Sequence, residues 1–108
     1  MSKKIFIVYG HHDIKKSFNA SVRDTFIEEA KKLGYQIDLI NLHEEKPIPF
    51  FDGSGPNDQI LDYRKRLEAS DVLFMISPCY NLRATAILEN WIDLTLAPKW
   101  FFSFKRLV

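Results

Sequence analysis

The sequence predicts an α/β domain with a doubly wound parallel sheet, its three strands in the spatial order 2-1-3 and helices on both faces. Apolar runs alternate with amphipathic helical segments along the chain, which is the pattern of strands joined by right-handed helical crossovers. The first and third runs, residues 5–9 and 71–77, are apolar without alternation, as in strands covered on both faces. Ligands of such sheets bind at the carboxyl ends of the strands where the winding reverses, here between strands 1 and 3.

Three helices and one weaker strand complete the prediction. The first helix begins near residue 18, where Ser17 or Asn19 can cap it, and Gly34 follows its end as a stop signal. Its inward face is expected to carry Phe18, Val22, Phe26, Ala30 and Leu33, with Arg23 among the outward residues. The second strand, residues 35–42, is interrupted by polar residues and is expected at an edge. Residues 43–57 contain three prolines and two glycines, which excludes regular structure there.

The later helices follow the same periodicity of three and four residues. The second begins after Asn57 and places Ile60, Tyr63 and Leu67 inward, with its arginines outward. The third covers residues 84–96, with an inward stripe of Ile87, Leu88, Trp91 and Thr95. Residues 99–108 form an aromatic tail.

Length and charge limit the function classes. The 108 residues suit a single domain over residues 1–108. Fifteen basic and fourteen acidic residues leave a net charge of +1, so no general attraction to nucleic acid or an anionic membrane is expected. A single cysteine and the lack of a signal-type segment favour a reducing cytoplasm. No apolar run reaches the roughly 20 residues of a membrane span.

The loop after the first strand is the candidate anion site. His11, His12, Lys15, Lys16 and Ser17 lie just before a helix start, where unpaired N–H groups and the helix dipole favour a phosphate. The segment resembles a P-loop, but Lys15 stands where the second glycine belongs, so we reject the nucleotidase interpretation. A metal site is not expected, because adjacent loop histidines usually point apart and no third ligand has a recognisable spacing.

The loop after the third strand is the second wall of the site, and it contains Pro78, Cys79, Tyr80, Asn81 and Leu82. No neighbouring group is placed to activate the Cys79 thiol, so its backbone is expected to matter more. Tyr80 either stacks on a planar ligand or fills the rim of the sheet. Phe50 and Phe51 either line a substrate pocket or pack beneath the long loop.

Together these segments resemble the NAD(P)H:quinone oxidoreductase branch of the flavodoxin-like fold. That branch includes modulator-of-drug-activity proteins and the ancillary subunits of glutathione-gated potassium efflux systems. The matching segments are Ile7-Val8-Tyr9-Gly10-His11, Ser17-Phe18-Asn19, Leu67-Glu68-Ala69-Ser70-Asp71, Ser77-Pro78, Ala86-Ile87-Leu88 and Trp91-Ile92-Asp93. The resemblance covers essentially the whole chain.

The resemblance implies an FMN or FAD cofactor, NAD(P)H as co-substrate and a quinone or similar small-molecule electron acceptor. It implies that His11 or His12, together with Ser17, Phe18 and Asn19, holds the flavin phosphate. Residues Pro78, Cys79, Tyr80, Asn81 and Leu82 correspond to the segment along the isoalloxazine ring. No catalytic residue is assigned, since the tyrosine and histidine that handle charge in some relatives lie beyond the matching half.

The chain departs from the family pattern in three ways. Asn81 replaces an aromatic residue, Thr85 replaces a proline, and family members are about twice as long. We therefore expect an incomplete flavodoxin-like domain that forms a homodimer or other oligomer through the edge of strand 3. The alternatives to a quinone reductase are a regulatory module resembling the potassium-efflux subunits and an inactive remnant.

Overall fold

The computed structural model describes residues 3–49 and 55–96. Its elements are β1 (Lys4–Tyr9), α1 (Phe18–Lys32), β2 (Gln36–Asn41), α2 (Leu42–Glu45), α3 (Asp58–Glu68), β3 (Val72–Ile76) and α4 (Ala86–Thr95). The sheet has the order β2-β1-β3, and β1 pairs in parallel with both neighbours. The predicted fold class and strand order are confirmed. Phe50, Phe51 and the aromatic tail lie outside the described residues.

The central strand β1 is buried on both faces, as predicted. Phe6 and Val8 join the core on the side of α3 and α4, with Tyr63, Leu88 and Trp91 among their partners. On the opposite face lie Ile5, Ile7 and Tyr9, which pack with residues of α1. Two helical layers therefore cover the sheet, and the loops that follow β1 and β3 meet at one edge of it.

The predicted inward face of α1 is confirmed in part, since Ala30 is buried and Phe26 packs against the adjoining core. Phe18 is 81% exposed and Leu33 77% exposed, whereas Ala20, Arg23 and Ala30 are buried. Alanine at two of these positions lets the helix approach the sheet closely. Arg23 can be buried because its guanidinium finds partners inside the fold, which a count of apolar residues does not reveal. The predicted cap and stop are confirmed: Ser17 accepts from the Ala20 N–H at 3.0 Å, and Gly34 has φ +88°.

Two further expectations are corrected. Residues 43–57 are not wholly irregular, since Leu42–Glu45 forms a short helix that ends at Lys46 in a left-handed conformation before the first proline. Strand β3 is covered only in part: Leu73 packs on one core cluster and Phe74 and Ile76 on the other, whereas Val72 is 45% exposed and Met75 40% exposed. In the part of the chain that the structure describes, β3 has a strand neighbour on the β1 side alone.

Helix α3 confirms the predicted inward residues Ile60, Tyr63 and Leu67. Its arginines are less exposed than expected. Arg64 donates a hydrogen bond to the Thr95 carbonyl at 3.0 Å, and Arg66 donates to the Asp38 carboxylate on β2 at 2.9 Å. These contacts fasten α3 to both α4 and the sheet. No helix within residues 3–49 and 55–96 is long and apolar enough to cross a membrane.

Candidate functional site

The ends of β1 and β3 are joined by the backbone of Gly10. The Gly10 N–H donates to the Ile76 carbonyl at 2.8 Å, and the Gly10 carbonyl accepts from the buried Thr85 hydroxyl at 2.7 Å. A Cβ atom at Gly10 would lie 3.0 Å from the Leu88 Cβ, so only glycine allows this approach. The structure thereby places the loop after β1 against the start of α4, which follows the loop after β3.

An aspartate organises the first loop from within. One oxygen of the Asp13 carboxylate accepts from the backbone N–H groups of Lys15 at 3.0 Å and Lys16 at 2.9 Å. These two bonds lower the pKa of Asp13, and the charges of His11 and His12 act in the same direction. The Asp13 N–H in turn donates to the His11 Nδ1 at 2.8 Å. The loop is therefore preformed, with a carboxylate at its centre.

The start of α1 supplies free donors beside that loop. Ser17 caps the helix, and its hydroxyl also lies 2.7 Å from the Tyr9 hydroxyl. The N–H groups of Phe18 and Asn19 have no acceptor among the described residues. First-turn N–H groups point along the helix axis and carry the positive end of the dipole. With two exposed lysines adjacent in sequence, this is a site of anion-binding character.

Contrary to the expectation that they point apart, the histidines after β1 are stacked. The rings of His11 and His12 lie 4.3 Å apart between centroids, with planes inclined by 23°. The hydrogen bond that His11 accepts from Asp13 orients its ring. Loss of solvent lowers the pKa of His43 in α2, and the charges of His12 and His11 lower it further. All three histidines thus lie at the carboxyl edge of the sheet, but no three His, Cys, Asp or Glu side chains of the described ranges converge as metal ligands.

The second loop contains a tight turn. Tyr80 and Arg83 exchange backbone hydrogen bonds of 2.9 and 3.0 Å, and the two residues between them, Asn81 and Leu82, both have positive φ values. Asparagine tolerates this conformation better than most residues. Leucine does not favour it, and Leu82 is 98% exposed. Cys79 is also exposed.

An open groove lies between α2 and α4 at the same end of the molecule. It has a volume of about 470 Å³, and its walls include His43, Lys46, Pro47 and Asn90. The Asn90 amide donates to the Ile48 carbonyl at 2.7 Å, which holds the proline segment against α4. The groove borders the region of the three histidines.

The predicted site residues lie in the two loops or, for Phe18 and Asn19, in the first turn of α1. His11, His12, Ser17, Phe18 and Asn19 surround the start of α1, and Pro78, Cys79, Tyr80, Asn81 and Leu82 form the loop after β3. Gly10 and Thr85 join the two loops. The hydrogen bonds that Tyr9, Asp13 and Arg23 make to the backbone of the first loop were not predicted from the sequence, because they depend on the folded positions of the segments. Ala20 and Ala30 are small residues on the same helical face as Arg23, and they could have indicated that this face is buried.

A sequence model described as the flavodoxin-like fold matches residues 3–107. The chain belongs to the flavodoxin-like fold family. Among solved structures it resembles an NAD(P)H:quinone oxidoreductase from Methanothermobacter marburgensis, with a TM-score of 0.82 and 20% identity. That match covers 89% of this chain and 54% of the other. It supports the fold of this flavodoxin-like chain independently of the sequence model.

Two curated relatives of this family member are quinone-reducing enzymes by name. Ribosyldihydronicotinamide dehydrogenase [quinone] from Rattus norvegicus is 25% identical, over 93% of this chain and 54% of the relative. An FMN-dependent NADH:quinone oxidoreductase from Mycoplasma mobile is 31% identical, over 82% of this chain and 48% of the relative. The chain therefore spans about half the length of the relatives it matches.

Proposed function

We propose that this flavodoxin-like chain contributes the phosphate-binding half of a flavin site and acts in NAD(P)H-dependent reduction of quinones or similar electrophiles. The observation that carries the proposal is the pair of first-turn N–H groups of α1 that lack an acceptor among the described residues, beside Lys15 and Lys16. Phe18 and Asn19 offer backbone N–H groups there, and helix starts of this kind bind phosphate. FMN is the preferred cofactor, because one relative is FMN-dependent by name.

The residues present fit a flavin phosphate in charge and in donor type. The two lysines and the two free N–H groups are all donors, and the Ser17 hydroxyl fixes the helix start. The Asp13 carboxylate already occupies the N–H groups of Lys15 and Lys16, which leaves the helix turn as the part of the cradle open to a ligand. His11, whose Nδ1 accepts from the Asp13 N–H, offers its Nε2–H as an additional donor, and the neutral ring of His12 also has one N–H donor.

The loop at residues 78–82 supports the second part of the proposal. Its tight turn presents the exposed side chains of Tyr80 and Leu82 at the carboxyl edge of the sheet, and apolar and aromatic groups suit a planar ring. A bound flavin supplies the hydride and electron chemistry, while the protein supplies binding, orientation and electrostatics. The chain's own groups would hold the phosphate at one loop and line the ring at the other.

Flavin titration of the full 108-residue chain tests this function. FMN, FAD and riboflavin are titrated separately, and quenching of flavin fluorescence reports binding. Because riboflavin lacks the phosphate, we expect FMN to bind at least about tenfold more tightly. Steady-state reduction of a soluble quinone by NADH and by NADPH is then measured on the loaded protein.

A pair of lysine variants provides the matched comparison. Lys15→Gln combined with Lys16→Gln is expected to weaken FMN binding about tenfold and to leave riboflavin unchanged. Lys31→Gln combined with Lys32→Gln removes the same charge from the opposite end of α1 and should change neither affinity. FMN binding without turnover would favour a regulatory module, and the absence of any flavin binding would favour an inactive remnant.

Self-association and a cytosolic location complete the proposal. The exposed apolar side chains of Val72 and Met75 on β3 support association with a second chain. A flavin reductase with a single exposed thiol, Cys79, suits a reducing compartment.

A further inference from the structure

Arg23 is a charged residue in the interior of the fold. It lies on the buried face of α1 and is 6% exposed. Its Nη2 donates to the Ile14 carbonyl at 2.6 Å and its Nη1 to the Asn41 side-chain oxygen at 2.9 Å. Its Nε donates to the Asp24 carboxylate at 2.9 Å. A buried guanidinium is tolerated where its donors are paired, and here the partners come from the first loop, β2 and α1.

Tyr9 links the same arginine to the rest of the loop. The guanidinium carbon lies 4.5 Å from the centroid of the Tyr9 ring, and this ring is fully buried. The Tyr9 hydroxyl donates to the Asp13 carbonyl at 2.7 Å and lies 2.7 Å from the Ser17 hydroxyl. Arg23 therefore holds the Ile14 carbonyl. Tyr9 holds the preceding carbonyl, that of Asp13, together with the Ser17 hydroxyl, which donates to it at 3.1 Å.

The direction of these two carbonyls affects how favourably the loop binds an anion. In a trans peptide the C=O and the following N–H point in opposite directions. Fixing the Asp13 and Ile14 carbonyls toward Tyr9 and Arg23 turns the N–H groups of Ile14 and Lys15 the other way. The negative ends of these two peptide dipoles thus point toward Tyr9 and Arg23, and the Lys15 N–H donates to the Asp13 carboxylate on the other side.

We propose that Arg23 and Tyr9 are positioning residues that hold this loop in the conformation competent to bind a phosphate. Neither residue touches the ligand in this proposal; both act through the backbone of Asp13 and Ile14. The identity of the ligand as a flavin phosphate rests on the function proposed above, whereas the effect on the loop does not.

Amide hydrogen exchange without any ligand tests the positioning directly. The variants are Arg23→Met, which keeps much of the apolar stem, and Tyr9→Phe, which removes only the hydroxyl. We expect the Lys15 and Lys16 amides to exchange at least about tenfold faster in Arg23→Met, and more modestly faster in Tyr9→Phe. The Ile60 amide, capped by Asn57 at 2.9 Å, should be unaffected.

Arg64→Met is the matched control, because Arg64 also donates to backbone carbonyls, those of Leu94 and Thr95. It should leave exchange of the Lys15 and Lys16 amides unchanged. Unaltered loop exchange in both Arg23→Met and Tyr9→Phe would overturn the proposal. Should Arg23→Met fail to fold, Arg23→Lys, which also loses the planar fork, replaces it in this comparison.

A ratio of affinities separates positioning from a general structural role. The affinity for FMN is divided by that for riboflavin in each protein, and we expect Arg23→Met to lower this ratio about tenfold. Arg23→Lys should recover little, since one ammonium does not reproduce the planar fork. Equal losses for FMN and riboflavin would overturn the proposal.

The two proposals fail in different ways. Faster loop exchange in Arg23→Met, combined with no FMN binding by the unmodified chain, supports the positioning role and refutes the flavin function. FMN binding by the unmodified chain, combined with an unchanged ratio in Arg23→Met, refutes the positioning role and leaves the flavin function intact.

Discussion

Asp38 and Arg66 join β2 to α3 through a two-point ion pair. The Arg66 Nε lies 2.9 Å from one carboxylate oxygen, and Nη2 lies 2.6 Å from the other. The bonds from Arg66 lower the pKa of Asp38, while partial burial opposes them. The guanidinium carbon also lies 5.5 Å from the Phe6 ring centroid. The pair is planar and partly shielded, so it is stronger than an exposed ion pair.

Asp38→Asn is predicted to lower the free energy of unfolding at pH 7 by about 1–2 kcal/mol, between values for exposed pairs and for buried charged hydrogen bonds. The pKa of Asp38 is lower in the folded state than its ordinary value of 3.8. Its contribution is therefore complete above that value and is lost as the pH falls through the folded-state pKa. Urea unfolding should show a smaller difference in unfolding free energy between the variant and the unmodified chain at pH 3 than at pH 7.

The exposed neighbour Asp62 provides the control for this pair. Its carboxylate lies 3.3 Å from the Arg66 Nη1 and its side chain is 59% exposed. Asp62→Asn should cost less than about 0.5 kcal/mol. Equal effects of the two substitutions at pH 7 would contradict the special role of Asp38.

At the scale of elements, the contact between the end of β1 and the start of α4 brings the two loops of the site together. Thr85 stands at the helix N-cap but does not cap it with its side chain; its hydroxyl donates to Gly10 instead. Thr85 thus contributes a buried hydrogen bond between the two loops. Gly10 allows the contact by its lack of a side chain.

Gly10→Ala is predicted to destabilise the fold by about 1–3 kcal/mol, the usual cost of overpacking a core. The new Cβ would lie 3.0 Å from the Leu88 Cβ and 3.1 Å from the Thr85 hydroxyl oxygen, so α4 must move away. Thermal unfolding measures the change in stability, and FMN titration measures its effect on the site. The control is Gly55→Ala, since a Cβ at Gly55 meets nothing within 4 Å. A neutral Gly10→Ala would show that α4 shifts without cost.

At the scale of the molecule, the outer side of β3 is an exposed edge of the described sheet that carries apolar side chains. Val72 and Met75 are both substantially exposed there, and within residues 3–49 and 55–96 β3 pairs with β1 alone. An apolar strand edge readily pairs with another chain. The relatives are about twice as long as this chain.

The 108-residue chain is predicted to associate in a concentration-dependent manner, measured by sedimentation. Met75→Lys should weaken that association about tenfold or more, because a charge on the outer strand opposes edge pairing. Leu61→Lys places the same charge at an exposed apolar position of α3 and should have no such effect. A monodisperse monomer that melts cooperatively would contradict the prediction.

The strands and helices could largely be predicted because each depends on local periodicity. The run at residues 5–9 and the stripe of Ile60, Tyr63 and Leu67 are visible without any tertiary contact. The inward face of α1 could be predicted only in part in this way. Burial of Arg23 depends on Ile14 and Asn41, and a periodicity rule counts arginine as an outward residue.

The sequence by itself determined the strand order, the three longer helices and the two loops at the carboxyl edge, since apolar periodicity and crossover handedness act along the chain. The tertiary structure alone decided that Tyr9 and Arg23 hold the first loop, that Asp13 occupies its centre, and that Gly10 contacts Thr85. The physical reason is that buried polar groups are stable only with partners, and these partners lie up to 75 positions apart in the chain.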